Sequence, residues 1–367
     1  MFSIFPTARL RPSPFYEATL AEGVTAMSVY NSMLMPASYG DPEAEYWRII
    51  EGVSQWDVAV ERQVQLRGPD AARLAQILSP RDLSGCAVGQ GKYVPMVDHR
   101  GTVLNDPIVL KLADDLFWLS IADSDMWLWA KSIAAERGLD VEVSEPDVSP
   151  MAVQGPKAED VVAHVFGDWV RGLKYFWFRE TEIEGIPVAV QRSGWSKQGG
   201  FEIYLRDGSR GTALWNIVKE AGRPHGIGPG GPTTAERTES GLVSVGGDTD
   251  DRTNPFEIRL ERFTDMDVPD EVVGIAALRR IKEEGASRHQ LGLVLEQEGR
   301  HPLGFAWEEV RMDGRAVGSM TNCVWSPRMK RNIGYALVSR EARPGDEVEV
   351  MRAEGPVAAR LCELPFL

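Results

Sequence analysis

Cysteine and histidine are scarce in this chain of 367 residues. The three cysteines, Cys86, Cys323 and Cys362, are odd in number, far apart and in no CxxC pair. That pattern fits a reducing compartment, so the cytoplasm is the expected location. It argues against both a disulfide framework and a zinc site. The five histidines, His99, His164, His225, His289 and His301, are scattered, with no HExxH and no close pair. No metal centre is therefore expected, which sets aside most metallohydrolases and haem proteins. Positive charge is also short: 40 Lys plus Arg stand against 54 Asp plus Glu, a net charge of −14. A general phosphate-backbone binder needs the opposite sign, so nucleic acid is not an expected partner. Long apolar runs are missing. The longest uncharged stretch, Gly23 to Gly40, contains Asn31, Pro36 and several serines and does not read as a membrane span. The run Met1-Phe2-Ser3-Ile4-Phe5-Pro6 has no basic region followed by an apolar core, so no secretory leader is expected.

What is present is a soluble globular balance, with 43% hydrophobic and 26% charged residues, over a length that calls for two or three domains. Residues 41–56 read as a helix with Asp41 as cap, Pro42 in the first position and Tyr46, Trp47, Ile49, Ile50 and Val53 as apolar face. Gln63 to Leu66 alternates like a half-buried strand, and Gly68-Pro69-Asp70 leads into a helix over 70–78. The segment 92–122 reads as an antiparallel meander turning at Asp98-His99-Arg100-Gly101. A helix over 124–137 stops at Gly138, and Val141-Glu142-Val143 adds a strand, giving a β-α-β-type module over 57–145. The pattern restarts with a strand at Met151 to Gln154, a helix from Lys157 to Phe166, strands at Ile186 to Val190 and Phe201 to Leu205, and a helix from Thr212 to Ala221. The Pro- and Gly-rich segment 224–232 reads as a loop. From about residue 288, short strands separated by turns predict an all-β barrel or jelly roll. The fold class is α+β with a C-terminal β domain.

Three segments carry candidate chemistry. In Gly101-Thr102-Val103-Leu104-Asn105-Asp106-Pro107-Ile108-Val109, an aspartate lies between apolar strand residues. Asp106 either hydrogen-bonds its own turn or, partly buried beside a ligand amine, serves as acid, base or anchor. In Arg192-Ser193-Gly194-Trp195-Ser196-Lys197-Gln198-Gly199-Gly200, glycines, hydroxyls, a tryptophan and a lysine precede a strand on which Glu202 and Tyr204 share a face. The glycines are expected to let the backbone approach a flat ligand, unless the segment is only a decorated turn. No GKS or GKT is present, so it is not a phosphate loop. In Glu236-Arg237-Thr238-Glu239, the arginine either joins a structural ion-pair network or holds a carboxylate.

Together these segments resemble the aminomethyltransferase family, the folate-binding T-protein of the glycine cleavage system and its relatives. Gln55-Trp56-Asp57-Val58-Ala59 is similar to the family's F-D-V-S segment, and Gly101 to Val109 to its G-x-x-x-D-D-x-x-V. Met151-Ala152-Val153-Gln154-Gly155-Pro156 resembles A-x-Q-G-P, and Ser193 to Ile203 resembles T-G-Y-T-G-E-x-G-x-E-I. Arg237-Thr238-Glu239-Ser240-Gly241 resembles R-L-E-A-G, and Trp325-Ser326-Pro327 the C-terminal S-P turn. Asn105 and Trp195, in place of the T-protein's Asp and Tyr, bring the chain nearest to the tetrahydrofolate-dependent dimethylsulfoniopropionate demethylases of that family. It departs from them at Gly231 to Arg237, where they carry C-P-N-x-x-E-R, and at Val245-Gly246-Gly247-Asp248, where they carry Y-G-N-D.

The resemblance implies a three-domain cloverleaf around a central channel: residues 1–50 with 146–285, residues 51–145, and a β-barrel domain over 286–367. It implies tetrahydrofolate as methyl-accepting cosubstrate, a sulfonium donor and no metal. Asp106 would be the catalytic carboxylate, stabilising the cation formed at N5. Glu202 would read the pterin edge, Tyr93 would contact the folate, and Arg237 would brace the folate site. Trp195, Tyr204 and Tyr30 would wall the donor site, with Ser120 and Lys197 as polar contacts. The sequence leaves the assembly open, with a homodimer as one option. A donor bearing another methylated amine or methoxy group, an aminomethyl donor and a non-catalytic folate-binding module are the alternatives.

Overall fold

The structure, a computed structural model, describes residues 7–297, 299–300 and 306–367. The run Met1 to Pro6 and His301 lie outside the described residues. The chain forms two compact units, one made of Met1–Leu74, Cys86–Lys92 and Ile108–Thr233, the other of Ala75–Gly85, Tyr93–Pro107 and Thr234–Leu367.

In the first unit a six-stranded sheet runs in the order Phe178–Ile183, Ile186–Gln191, Gly200–Leu205, Ser149–Gln154, Ser54–Asp57, Gly228–Gly230. The helices Ala158–Phe166 and Gly211–Gly222 cover one face, packing Val161, Val162, Leu214, Trp215 and Val218 on Val153, Val190, Phe201 and Ile203. Those helical residues recur at a helical spacing, so each helix presents one apolar stripe. The strand Gly200–Leu205 is buried along its whole length, because its other face is covered as well.

The segment 224–232 corrects the expectation of a loop. Gly228-Pro229-Gly230 forms an edge strand, parallel to Ser54–Trp56. Proline is tolerated at a sheet edge, where no further strand needs its missing N–H. The glycines answer to close approach: a Cβ on Gly230 would lie 2.5 Å from Ser54 Oγ, and one on Gly228 2.6 Å from Arg48 Nε.

The second sheet of this unit runs in the order Glu142–Ser144, Gln63–Arg67, Leu116–Ser120, Ile108–Ala113, Gln90–Tyr93. Glu142–Ser144 and Leu116–Ser120 are both antiparallel to the strand between them, so the helix Met126–Arg137 closes a split β-α-β crossover. Asp125 caps that helix by accepting from Leu128 N, and Gly138 stops it at φ 62°. The helix Pro42–Glu51 has its predicted cap, Asp41 accepting from Ala44 N, but ends well before residue 56. Residues 54–57 instead pair with Met151–Gln154, a tertiary demand that overrides the helical periodicity. A hairpin, Ala26–Tyr30 with Met33–Ser38, turns at Asn31 and Ser32, both left-handed at φ 49° and 58°.

In the second unit, six strands close a barrel in the order Arg288–Leu295, Arg331–Ser339, Arg315–Ser326, Glu308–Met312, Glu347–Arg352, Gly355–Cys362. Alternate residues such as Leu291, Leu293, Val348, Val350 and Leu361 fill its interior. The closing strand Gly355–Cys362 goes unread in the sequence. The expected meander over 92–122 also divides: Met96–Val97 pairs only with Val103–Asn105, in a two-stranded sheet of this unit. Pro95 and Pro107 flank that pair and interrupt the run of backbone donors. All three cysteines are free thiols. Among the described residues no helix is long and apolar enough to cross a membrane, and no group of three or more His, Cys, Asp or Glu could hold a metal ion.

Candidate active site

In the first unit the candidate residues gather on the strand Gly200–Leu205. Glu202 and Tyr204 do share a face, as their spacing of two requires, and both are buried. The Tyr204 hydroxyl donates to Glu202 Oε2 at 2.9 Å, with Gln191 Oε1 at 3.1 Å as its other neighbour, and Ser120 also bonds to it. Ser193 Oγ donates to the same Glu202 oxygen at 3.0 Å. Both bonds fall on Oε2, so among the described residues Oε1 is left as an unused acceptor. Burial pushes the Glu202 carboxyl up, and the bonds from Tyr204 and Ser193 partly offset that. Burial and the Glu202 charge hold the Tyr204 hydroxyl well above its ordinary value, so it stays protonated as a donor.

The structure thus joins Ser120, Tyr204 and Glu202 in one hydrogen-bonded chain, and Gln63 Nε2 donates to Ser120 Oγ at 2.9 Å. Tyr204 is 0% exposed, with its ring packed near Trp118 at 6.4 Å between centroids. It presents no surface to a ligand; its hydroxyl is turned to Glu202. Gln191 and Ser193 are not singled out by the sequence. The register that sets Gln191 opposite Glu202 is the signal that finds the first of them.

Trp195 is half-buried and Lys197 exposed, on the loop 193–200. Two glycines of this loop, Gly194 and Gly200, answer to close approach by the protein itself. A Cβ on Gly194 would fall 2.1 Å from the Gln154 side-chain amide, and one on Gly200 2.4 Å from it. They make room for a side chain of the protein itself. Tyr30 is half-buried at the end of its hairpin strand, packed against the apolar cluster of the sheet. The neighbouring Asn31 Nδ2 donates to Val60 O at 2.9 Å and Ala122 O at 3.0 Å, and its N–H to Asp123 Oδ1 at 2.8 Å.

In the second unit, Tyr93 OH donates to Asp106 Oδ2 at 2.8 Å. Burial pushes the Asp106 carboxyl up to about 7, against the lowering effect of that bond. Tyr93 is itself held well above its usual value by burial and by the Asp106 charge. Its ring meets Phe263 edge-on at 4.8 Å, and Arg81 Nη1 donates to its carbonyl at 2.8 Å. Asp106 is therefore a carboxyl poised to change charge near neutrality, with a neutral phenol fixed on one oxygen.

Arg237 lies elsewhere in that unit, on the helix Thr234–Glu239, and is buried. It donates to Asp248 Oδ2 at 2.6 Å, and its guanidinium stands over the Tyr335 ring at 5.7 Å. Asp248 also accepts from Ser244 N, Thr321 Oγ1 and Asn322 Nδ2. The ion-pair reading of Arg237 is the one this geometry matches. Two segments that depart from the demethylase pattern, 231–237 and 245–248, contribute the two ends of that pair.

Comparison with known proteins adds to this geometry. Residues 15–268 match the GCVT N-terminal domain, and residues 288–367 match the glycine cleavage T-protein C-terminal barrel domain. The chain is 43% identical over 363 residues to the dimethylsulfoniopropionate demethylase DmdA of Ruegeria pomeroyi, covering 98% of this chain and 99% of that one. It is 30% identical to an aminomethyltransferase of Symbiobacterium thermophilum, covering 97% of each chain. The crystal structure of the glycine cleavage system aminomethyltransferase T from Bartonella henselae superposes with a TM-score of 0.85 at 22% identity, over 97% of this chain and 98% of that one.

Proposed function

This chain belongs to the glycine cleavage T-protein family of aminomethyltransferases, one-carbon-transferring enzymes, and on that footing we propose that it demethylates a sulfonium compound. Dimethylsulfoniopropionate would give up a methyl group to N5 of tetrahydrofolate, leaving 3-methylthiopropionate and 5-methyltetrahydrofolate. The observation that carries this reading is the end-to-end 43% identity to a demethylase of that substrate.

A sulfonium methyl is electrophilic and leaves a neutral thioether, so the protein's tasks are alignment, desolvation and charge placement. The folate supplies the nucleophilic nitrogen. The unused Glu202 Oε1 fits the N–H donors of a pterin edge, with Tyr204 and Ser193 fixing the other oxygen. Asp106 supplies a carboxylate where positive charge develops and accepts a proton; its value of about 7 suits that exchange at neutral pH. Tyr93 holds it in place. Trp195 and Tyr30 offer ring faces to the onium group, each such contact being worth about 0.5–2 kcal/mol. Lys197 would meet the carboxylate tail, and Ser120 a further polar group of the donor. Arg237 braces its own unit through Asp248 rather than touching a ligand.

The test is direct. The enzyme is incubated with tetrahydrofolate and dimethylsulfoniopropionate, and both products are sought. Turnover only with glycine and a lipoylated carrier would replace this reading with aminomethyl transfer, and turnover with a methylated amine or methoxy compound would replace only the donor.

A further inference from the structure

The Gln154 side chain is 1% exposed and enclosed by the loop it supports. Its Nε2 donates to Ser193 O at 3.2 Å, and its Oε1 accepts from Ser196 Oγ at 2.8 Å. Ser196 Oγ in turn accepts from Gln198 N at 3.2 Å. The two places where the loop wraps most closely are Gly194, at φ 144°, and Gly200, and at both the amide occupies the volume a Cβ would take. One amide on the neighbouring strand Ser149–Gln154 thus bonds the loop at Ser193 and Ser196 and packs against Gly194 and Gly200; Trp195 lies between the two bonded residues and Lys197 directly follows the second.

We propose that Gln154 is a positioning residue for donor recognition: its amide sets the conformation of residues 193–200 and so the placement of Trp195 and Lys197. Three properties single it out. It is inside the protein and touches no ligand-facing surface. It satisfies one donor and one acceptor of the loop at once, and as an amide it does so without carrying a charge into the interior. And the loop has given up two side chains to admit it. One amide bond falls on Ser193, whose hydroxyl bonds Glu202, but the shorter one falls on Ser196, directly between Trp195 and Lys197, so donor placement responds more strongly to Gln154 than pterin placement does.

This inference rests on the reading of Trp195 and Lys197 as donor contacts, and the experiment separates the two. Gln154→Leu shortens the side chain and removes both bonds. Gln154→Met keeps the length and removes both bonds. Gly194→Ala attacks the same contact from the loop side. Two readouts are taken on the full chain. The first is the rate of trypsin cleavage after Lys197, followed by mass spectrometry against the other cleavage sites; it needs no substrate. The second is the Michaelis constant for dimethylsulfoniopropionate and for tetrahydrofolate.

All three variants are expected to be cut after Lys197 about tenfold faster than the parent, with other sites unchanged, and to raise the donor constant about tenfold, the scale of one or two lost hydrogen bonds. The folate constant and kcat should each move less than about threefold. Cleavage at the parent rate in the variants that fold overturns the proposal, whatever the kinetics. Faster cleavage with an unmoved donor constant overturns the part that assigns the loop to the donor. A parent enzyme inactive on dimethylsulfoniopropionate overturns the proposed function, and the cleavage rates then still decide whether Gln154 holds the loop.

Discussion

Burial pushes Asp106 up to about 7 and Asp57 up to about 6, and among the described residues neither carboxyl has a cation bonded to it. The folded chain keeps these protons to a higher pH than the unfolded chain does. Stability therefore falls as pH rises from about 4, the unfolded value, through the folded values, and is level beyond them. Asp106→Asn removes one share of that slope. It is expected to be about 4 kcal/mol more stable than the parent at pH 8 and no more stable at pH 4, by urea unfolding at both. Turnover should be lost in the same variant, and kcat/KM of the parent should climb through about pH 7 as Asp106 ionises. An equal stability gain at both pH values, or a pH-independent kcat/KM, would take Asp106 out of the mechanism. Tyr204→Phe keeps the ring on Trp118 and removes the hydroxyl from Glu202. It should raise the folate Michaelis constant about tenfold and leave the donor constant in place, since a bond to a carboxylate is worth about 1.5–3 kcal/mol. The reverse pattern would return Tyr204 to the donor wall. That Glu202 and Tyr204 share a face was legible, because a strand alternates with a period of two. That Tyr204 is enclosed was not, because enclosure depends on Trp118 of another sheet.

Among the elements, the hairpin at Asn31 ties a sequence signal to a tertiary anchor. Its two central residues are left-handed, which asparagine tolerates better than most side chains, and its amide reaches Val60 O and Ala122 O. Asn31→Gly keeps the turn and loses the amide; Asn31→Ala loses both. Calorimetry should show a loss of about 1–2 kcal/mol for glycine and a larger one for alanine. Equal losses would mean that the turn conformation contributes nothing. Helix ends were readable because they are local: Asp41 and Gly138 each stand where the sequence predicts, while Asp125, read as helical, is the cap of its helix. The Pro and Gly segment was misread because its strand exists only by pairing with Ser54–Trp56, a partner some 174 residues away in the chain. The roles of Gly194 and Gly200 were hidden for the same reason, since Gln154 is distant in sequence.

For the molecule as a whole, the order of motifs gave the family, and the short C-terminal strands gave a β domain whose closure needed Gly355–Cys362. A net charge of −14 bears on how substrates arrive. Folate carries an anionic tail, so long-range repulsion should slow its approach at low salt and ease as counterions screen it, over about 10 Å at 0.1 M. Stopped-flow association is expected to quicken modestly between low and physiological ionic strength. A steep slowing would instead reveal a local basic funnel. The cradle around Gln154 also limits how such a protein can diverge. At position 194 a side chain is barred while the long amide remains, so enlarging that residue has to begin with a smaller one at 154, whereas position 200 stays closed by the Val153 carbonyl as well.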